Sequence, residues 1–271
     1  MEKKSVSSIF VVLLVQIIIH GDNNIIIVQS LKSSQIVVQC GKTGNLEYDA
    51  KVQYRDLMLQ NLPGFIISQR PYTGYLVSSD FYNPVRMQGL VLCPTNIKEQ
   101  SCKDCVEKSI PHLKTTCPKN NKAVIWAIIS NSIYCMVRYA NYDMRQKYED
   151  WVWASKDYAD FIAPPEANVN IVELSKVVSD NFNKLVKEAT RTPNDHLRRF
   201  ASANSTYGLS SRRFYMAVQC TPEISINDCI KCLNEAKLVA QEKGINKAKM
   251  LCLVLSMNCN LKYDHYSETV Y

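Results

Sequence analysis

Residues 89–109 read GLVLCPTNIKEQSCKDCVEKS, and residues 215–236 read YMAVQCTPEISINDCIKCLNEA. In both segments an apolar run leads to a cysteine, and eight further residues separate that cysteine from a Cys-x2-Cys pair. The three cysteines are Cys93, Cys102 and Cys105 in the first segment and Cys220, Cys229 and Cys232 in the second. The pattern is typical of a strand, a tight loop and a helix, used twice. It predicts a duplicated module that is held together by disulfides.

The amino terminus predicts secretion. Lys3 and Lys4 precede an apolar run from Ile9 to Ile19, which is the order of charge and hydrophobicity in a signal peptide. Val28-Gln29-Ser30 supplies small residues for cleavage, so residues 1–30 are predicted to be the signal peptide. An uncleaved anchor is the alternative, but the run is short for a bilayer span. We expect a secreted, extracellular protein without a membrane span.

Secretion determines how the eleven cysteines are interpreted. Oxidising compartments favour disulfides, whereas a reduced Cys-x2-Cys pair would suggest zinc or redox chemistry. Each copy has one close cysteine pair and lacks the second Cys or His pair that would complete a tetrahedral zinc site. We therefore expect no metal and no other cofactor.

Composition indicates two packed domains. The chain has 271 residues, only 8 glycines and 9% aromatic residues, which disfavours a flexible low-complexity stalk. Its net charge of +7 could favour acidic partners. However, Arg198-Arg199 and Arg212-Arg213 are only short basic pairs and no recognition motif accompanies them, so no nucleic-acid partner is expected.

Hydrophobic periodicity predicts the order helix, strands, helix, strands in each half. The first half has a helix within residues 45–64, ending at Pro63-Gly64, and a second helix over residues 101–113. Its strands are predicted at residues 65–67, 75–77, 87–93, 123–130 and 133–139. The second half has one helix within residues 170–190, with Val172, Val177, Phe182, Leu185 and Ala189 on the apolar stripe, and another over residues 227–242. Its strands are predicted at residues 200–203, 206–209, 214–220, 250–255 and 259–263.

The connection between the halves spans residues 145–168 and contains Pro164-Pro165. Glu149-Asp150 is interpreted as linker charge. The connection also contains four aromatic residues, Trp151, Trp153, Tyr158 and Phe161. Because they are too apolar for a free tether, we expect them to hold the two modules together as a rigid pair.

These residues resemble a known family. The duplicated cysteine motif, with AVIW and YCMVRYAN in the first copy and FYMAVQCT, DCIKCL and CNLKYD in the second, is similar to the plant cysteine-rich repeat secretory proteins. Their module is homologous to the antifungal seed lectin ginkbilobin. It also forms the ectodomains of cysteine-rich receptor-like kinases and plasmodesmata-located proteins.

The resemblance implies an α+β fold of two tandem modules, each with two helices packed on an antiparallel sheet of about five strands. The ginkbilobin-homologous domains would span residues 34–144 and 149–268. The resemblance also implies disulfide pairs, which the spacing alone leaves open. They are Cys40 with Cys117, Cys93 with Cys102, Cys105 with Cys135, Cys220 with Cys229, and Cys232 with Cys259. The second copy lacks counterparts of Cys40 and Cys117.

Cys252 is then left without a partner. It is either a free thiol or a link to another chain. Its position in a predicted apolar strand favours a buried free thiol.

The resemblance also implies a test for sugar binding. Ginkbilobin holds mannose with an Asn, an Arg and a Glu at fixed offsets from its first and last cysteines. The first copy has Gly41, Ile129 and Ala140 at those positions, and the second has Leu253 and Asp264 at the last two. Only Asp264 retains an acid, so a mannose pocket would have to be rebuilt.

Other motifs add little chemistry. His112, His196 and His265 lie in no catalytic frame, and Asp195-His196 is interpreted as a solvated loop pair. We therefore predict that the protein is not an enzyme. Asn204-Ser205-Thr206 is a frame for N-glycosylation, used or unused, at a predicted strand end or turn.

The sequence thus predicts an apoplastic recognition protein that binds an extracellular protein partner. The alternative is a mannose-lectin-like antifungal defence protein that binds cell-wall glycan through a modified pocket. The sequence leaves the oligomeric state open.

Overall fold

The structure is a computed structural model. It describes residues 29–31, 34–41, 45–46, 49–66, 75–79, 86–94, 97–129, 134–145, 147–149, 169–191, 199–207, 212–249 and 251–266. Residues 1–28 of the predicted signal peptide, the four aromatic residues of the connection and Asp195-His196 lie outside these ranges, whereas Gln29 and Ser30, the last two residues of the predicted signal peptide, belong to a described strand. None of the described helices is long and apolar enough to cross a membrane.

The first module packs two helices on one face of a six-stranded antiparallel sheet. The helices are α1 (Asp49–Ile66) and α2 (Glu99–Thr116). The strands are β1 (Gln29–Leu31), β2 (Ser34–Cys40), β3 (Tyr75–Ser79), β4 (Arg86–Leu92), β5 (Lys122–Ile128) and β6 (Tyr134–Ala140). Their order across the sheet is β1-β2-β5-β6-β4-β3.

The second module repeats this plan with a four-stranded sheet. Its helices are α3 (Ile171–Ala189) and α4 (Ile226–Val239), and α4 continues into a π turn and a 3-10 turn, Ala240–Gly244 and Ile245–Lys247. The strands are β7 (Phe200–Tyr207), β8 (Arg212–Cys220), β9 (Leu251–Leu255) and β10 (Cys259–Tyr266), in the order β7-β8-β10-β9. The predicted α+β class is confirmed, with six and four strands instead of about five in each described sheet.

Several predicted boundaries are wrong. Residues 65–66 were assigned to a strand but belong to α1, which continues past Pro63 because Leu62, Pro63 and Ile66 are all buried. The two short strands predicted between residues 200 and 209 form a single strand, β7. No strand was predicted for β1 or β2, which pair with each other so that Gln29 lies opposite Ile36.

The predicted apolar stripe of α3 is wrong at two positions. The buried residues are Leu174, Val178, Phe182, Leu185 and Ala189, whereas Val172 is 80% exposed and Val177 only half-buried. Stepping back from Phe182 by four residues reaches Val178 and then Leu174, which is the spacing that keeps side chains on one helix face.

Five disulfides join the ten remaining cysteines, and the pairs are those that the family resemblance implies. In the first module they link β2 to the end of α2 (Cys40–Cys117), the end of β4 to α2 (Cys93–Cys102), and α2 to β6 (Cys105–Cys135). In the second they link β8 to α4 (Cys220–Cys229) and α4 to β10 (Cys232–Cys259). The helices that contain the Cys-x2-Cys pairs, α2 and α4, are thus each joined to their sheet by disulfides at two or more points.

The bridge that the second module lacks is the counterpart of Cys40–Cys117, which closes the longest loop, with a sequence separation of 77. Cys93–Cys102 has a separation of only 9. In the chain-entropy model these separations correspond to roughly 4–5 and 2–3 kcal/mol, respectively. The second module therefore lacks the bridge with the largest expected contribution to stability.

Cys252 is free and fully buried on β9. Burial raises the pKa of its thiol to about 12, and a hydrogen bond with Tyr263 offsets this only partly. Gly244, in the π turn, packs closely on the same two side chains. A β-carbon at Gly244 would overlap the Tyr263 hydroxyl and lie 3.2 Å from the Cys252 sulfur.

We predict that Gly244→Ala lowers the free energy of unfolding by about 1–3 kcal/mol, because the added methyl overpacks the core. Gly64→Ala is the matched control, since a β-carbon at Gly64 meets nothing within 4 Å. The control should gain roughly 0.5–1 kcal/mol from helix propensity. Urea unfolding measures both changes, and equal effects of the two substitutions would contradict the packing at Gly244.

We also predict that Cys252 resists alkylation in the folded protein, because its thiol is both buried and protonated. Iodoacetamide should modify one thiol per chain in denaturant and almost none under native conditions, as read by intact mass. The Cys252→Ser variant should stay unmodified in both. Rapid native alkylation, or a disulfide-linked dimer that Cys252→Ser abolishes, would contradict a buried thiol.

Candidate functional site

The two modules meet through the sheet faces that their helices leave uncovered. All seven residues of β6 are buried, because alternate side chains face α1 and α2 on one side and the second module on the other. One apolar cluster spans the junction. Its residues are Leu90, Leu92, Val124, Trp126, Ile128, Tyr134, Met136, Ala140 and Met144 from the first module and Leu253, Leu255 and Met257 from the second.

A buried ionic cluster, consisting of Lys122, Arg138, Glu149 and Glu223, crosses this junction. Arg138 lies with one nitrogen, Nη1, 3.2 Å from Glu223 Oε1 and with the other, Nη2, 3.3 Å from Glu149 Oε1. Lys122 Nζ lies 3.2 Å from Glu149 Oε2. The side chains of Arg138 and Glu223 are each only 1% exposed. Charges this deeply buried are tolerated only when paired, so the cluster fixes how the modules meet.

Neutral hydrogen bonds extend the same contact. Gln219 Nε2 donates to the carbonyl oxygen of Cys93 over 2.9 Å, and the Tyr134 hydroxyl donates to Asn260 Oδ1 over 3.1 Å. Asn258 Nδ2 donates to the backbone oxygen of Glu149 over 3.0 Å. The strands β6, β8 and β10 therefore contribute polar side chains to the interface as well as apolar ones.

The interpretation of Glu149 as linker charge is wrong, because Glu149 is 6% exposed and pairs with Arg138 and Lys122. Next to it, the Tyr148 hydroxyl donates to Glu235 Oε2 on α4 over 2.7 Å. The connection thus begins docked on the second module. Sequence reasoning missed the ionic cluster, although the lone charge of Arg138 within the apolar strand YCMVRYA was a signal.

Burial also perturbs the acid–base properties of this interface. It raises the pKa of Glu223, and the attraction of Arg138 offsets the rise only in part. On the neighbouring strand, burial lowers the pKa of Lys262, although Asp264 opposes the change from 3.5 Å away. Arg138 is therefore the main cation that stabilises the charged form of the buried Glu223, and Arg199 makes a smaller contribution.

The positions that resemble the mannose pocket of ginkbilobin are filled by protein. A β-carbon at Gly41 would lie 2.6 Å from Lys122 Cγ, so an asparagine there would require that side chain to move. Ala140 and Leu253 are buried in the cluster between the modules. Asp264 is 15% exposed at its side chain and is paired with Lys262. Of these positions, Ala140 and Leu253 therefore lie in the contact that joins the two modules.

An open groove lies on the opposite side of the first module, between α1 and α2, and we call it the α1–α2 groove. Its volume is about 640 Å³. It is lined by Asp56, Gln60, Pro63, Gly64, Lys103, Glu107, Ile110, Pro111, Lys114 and Thr115. Lys114 pairs with Asp56 at 2.8 Å, and Lys103 forms a longer ion pair with Glu107 at 3.9 Å, in which the side chains are 30% and 50% exposed. The groove combines an apolar floor with charges that are available for binding.

The second module differs at the equivalent place. Lys237 follows Cys232 at the same distance as Ile110 follows Cys105. Its ammonium donates to Ser179 Oγ on α3 over 3.1 Å and lies 4.8 Å from the Phe182 ring. A lysine therefore spans the two helices of the second module where the first has an isoleucine.

The described residues offer little for catalysis or metal binding. No group of three His, Cys, Asp or Glu side chains within them is placed to hold a metal ion. His112 lies on α2 of the first module, and the free cysteine among the described residues, Cys252, lies on β9 of the second. His112 and Cys252 thus lie in different modules and form no Cys–His pair.

We predict that Arg138→Met destabilises the protein by about 3–5 kcal/mol, because it leaves the buried carboxylate of Glu223 without its ion-pair partner. Arg145→Met is the control, since Arg145 pairs with Asp143 on the surface and is 64% exposed, and little change is expected.

The raised pKa of Glu223 gives the sign of the pH dependence. A raised pKa in the folded state stabilises the protein at low pH, and this stabilisation is lost as the pH rises above the ordinary pKa of about 4.5. The loss of folding free energy caused by Arg138→Met should therefore grow towards neutral pH. Urea titrations across this range would contradict the prediction if the deficit stayed constant or narrowed.

Comparison with known proteins gives the family. The sequence matches the family described as salt stress response/antifungal twice, over residues 39–142 and 168–266. Cysteine-rich repeat secretory protein 38 of Arabidopsis thaliana is 26% identical over 210 residues, which are 77% of this chain and 76% of that protein. The antimicrobial ginkbilobin-2-like protein of Castanea crenata is 26% identical over 212 residues, which are 77% of this chain and 79% of that protein.

Receptor-like relatives match over part of their length. Cysteine-rich receptor-like protein kinase 29 of Arabidopsis thaliana is 29% identical over 62% of this chain, and the match covers only 23% of the kinase. Among solved structures, the tandem DUF26 ectodomain of the Arabidopsis thaliana cysteine-rich receptor-like protein PDLP5 has the same fold, with a TM-score of 0.55 at 11% identity. That match covers 85% of this chain and 98% of the ectodomain. The chain therefore belongs to the salt stress response/antifungal family, and it carries the family's domain in two copies.

Proposed function

We propose that this protein is a secreted, non-enzymatic recognition protein that binds an extracellular protein partner through the α1–α2 groove. The relatives support an extracellular role, since one is called a secretory protein and another is an ectodomain. Five disulfides in two small modules are also typical of oxidising compartments. The sequence of the amino terminus agrees with this, because its charged and apolar order is that of a signal peptide.

One observation carries the proposal. Ala140 and Leu253, two of the positions that align with the sugar-binding residues of ginkbilobin, are buried between the modules, while the α1–α2 groove stays open on the outer side of the first module. A ligand of the folded protein has to use a surface that the intermodule contact leaves free. The groove is such a surface, and its volume lies in the range of ligand-binding clefts.

The lining of the groove favours a protein segment as the ligand. Pro63, Ile110 and Pro111 offer an apolar strip, and Lys103 and Glu107 provide one charge of each sign beside it. An apolar side chain flanked by a basic and an acidic residue would match this surface. Sugar sites usually provide aromatic platforms, and none of the described residues that line this groove is aromatic.

Capture from apoplastic fluid tests the proposal. The immobilised mature protein should retain an extracellular protein that Gly64→Trp and Glu107→Lys both lose, because the first fills the groove and the second reverses its exposed charge. Lys187→Trp is the matched control, since Lys187 is exposed on α3 between the buried Leu185 and Ala189, just as Gly64 lies between Leu62 and Ile66 on α1. Quantitative mass spectrometry compares the four baits. Equal recovery on all baits, or no protein retained by the wild type, would contradict the groove as the docking surface.

The alternative function is carbohydrate binding in antifungal defence, and the residual acid Asp264 together with an antimicrobial relative supports it. A glycan array with the mature protein separates the two functions. We expect a silent array because the equivalent pocket is filled. Saturable binding that Asp264→Ala abolishes would favour the lectin instead.

A further inference from the structure

The strand β7 forms an unusually unprotected edge of the second sheet. It has eight residues, Phe200–Tyr207, and is the longest end strand of the two described sheets. The other end strands, β1, β3 and β9, have three, five and five residues. Edge strands normally avoid pairing with other chains by being short or by carrying charges or proline. The sequence FASANSTY contains neither charge nor proline.

The N-glycosylation frame lies within this strand. Asn204-Ser205-Thr206 was expected at a strand end or turn, but all three residues belong to β7. It is the one Asn-x-Ser/Thr frame in the 271 residues. Asn204 and Thr206 are exposed on one side of the strand, whereas Ser205 points to the other side and accepts a hydrogen bond from Asn181 on α3 over 3.0 Å. The acceptor amide is therefore accessible at the centre of the edge.

We propose that Asn204 carries an N-linked oligosaccharide that shields β7 and keeps the second sheet from pairing with another chain. The oligosaccharide comes from a lipid diphosphate donor in the secretory pathway. Asn204 Nδ2 forms a bond to the first sugar's anomeric carbon, the bond from that carbon to the diphosphate breaks, and the lipid diphosphate leaves while the amide proton passes to a base of the transferase. The product carries a bulky, hydrated group on an edge for which the described residues of β7 provide no charge or proline against strand pairing.

The register of the sheet places a second residue, Asp264, within reach of the oligosaccharide. Asn204 pairs with Tyr215, and Tyr215 pairs with Asp264, so the three residues form one row across β7, β8 and β10. Adjacent strands lie about 4.8 Å apart, so Asn204 and Asp264 are roughly 10 Å apart. An oligosaccharide on Asn204 reaches over this row. It thereby covers the residual acid of the sugar pocket as well as the strand edge.

Intact mass of the full chain recovered from the medium of plant cells tests the modification. Wild type, Ser205→Ala and Thr206→Ser keep the frame and should carry the oligosaccharide mass. Asn204→Gln and Thr206→Ala lose the frame and should have the mass of the bare polypeptide. Ser205→Ala is the matched control because it changes the neighbouring residue without removing the acceptor. Secreted wild type without added mass, or added mass that persists in Asn204→Gln, would overturn the assignment.

Light scattering after size exclusion tests the shield. Asn204→Gln and Thr206→Ala should shift from monomer to dimer and larger species as concentration rises, while Ser205→Ala should match the wild type. Adding Ser202→Lys to Asn204→Gln should restore the monomer, because Ser202 is exposed on the same side of β7 and a charge there blocks strand pairing. A monomeric Asn204→Gln at every concentration, or self-association that the added lysine does not reverse, would overturn the shielding role.

Discussion

The structure depends on the mutual burial of two sheet faces, one from each module. In the described residues each sheet packs its helices on one face, while the other face carries large apolar side chains such as Trp126, Met136 and Leu255. An isolated module would expose these side chains as a contiguous patch of the kind that monomers rarely show. Burying each large side chain contributes about 1.5–3 kcal/mol, so the two faces stabilise each other. The duplicated modules are therefore halves of one folded unit.

This contact explains how the second module keeps its fold with one disulfide fewer. The first module fastens the start of its chain to α2 through Cys40–Cys117, and β2 carries Cys40 at its end. In the described second sheet no strand takes the place of β2 beside β9, and no bridge replaces Cys40–Cys117. Instead, Leu253 and Leu255 of β9 are held between the sheets. Packing against the first module thus constrains β9. The equivalent strand of the first copy, β5, is constrained by the neighbouring β2, which the Cys40–Cys117 bridge holds.

Local patterns predicted the parts of the fold that local forces determine. The repeated cysteine motif identified both modules, and apolar periodicity located the four helices. The intermodule surface was beyond the same reasoning, because Glu149 and Glu223 look like ordinary surface acids until Arg138 is brought within 3.3 Å of both. The groove was missed for a related reason, since Asp56 and Lys114 are far apart in sequence. The predicted apolar stripe of α3 included Val177, whereas the adjacent Val178 is the buried residue. Periodicity alone could not distinguish these two neighbouring valines.

The same burial also decides where recognition can occur. A sheet face that closes against its partner cannot also remain open for a ligand, and Ala140 and Leu253 are buried in that contact. Small or apolar residues suit that role, whereas the polar trio of a sugar pocket would be left without water or partners. Under the proposed function, ligand binding falls to the surfaces that the junction leaves free, and the two copies differ there. Ile110 leaves the groove of the first module open, while Lys237 bridges the helices of the second. The two copies thus share the buried sheet contact but differ on their helical sides, with an open cleft in the first and a lysine between the helices in the second.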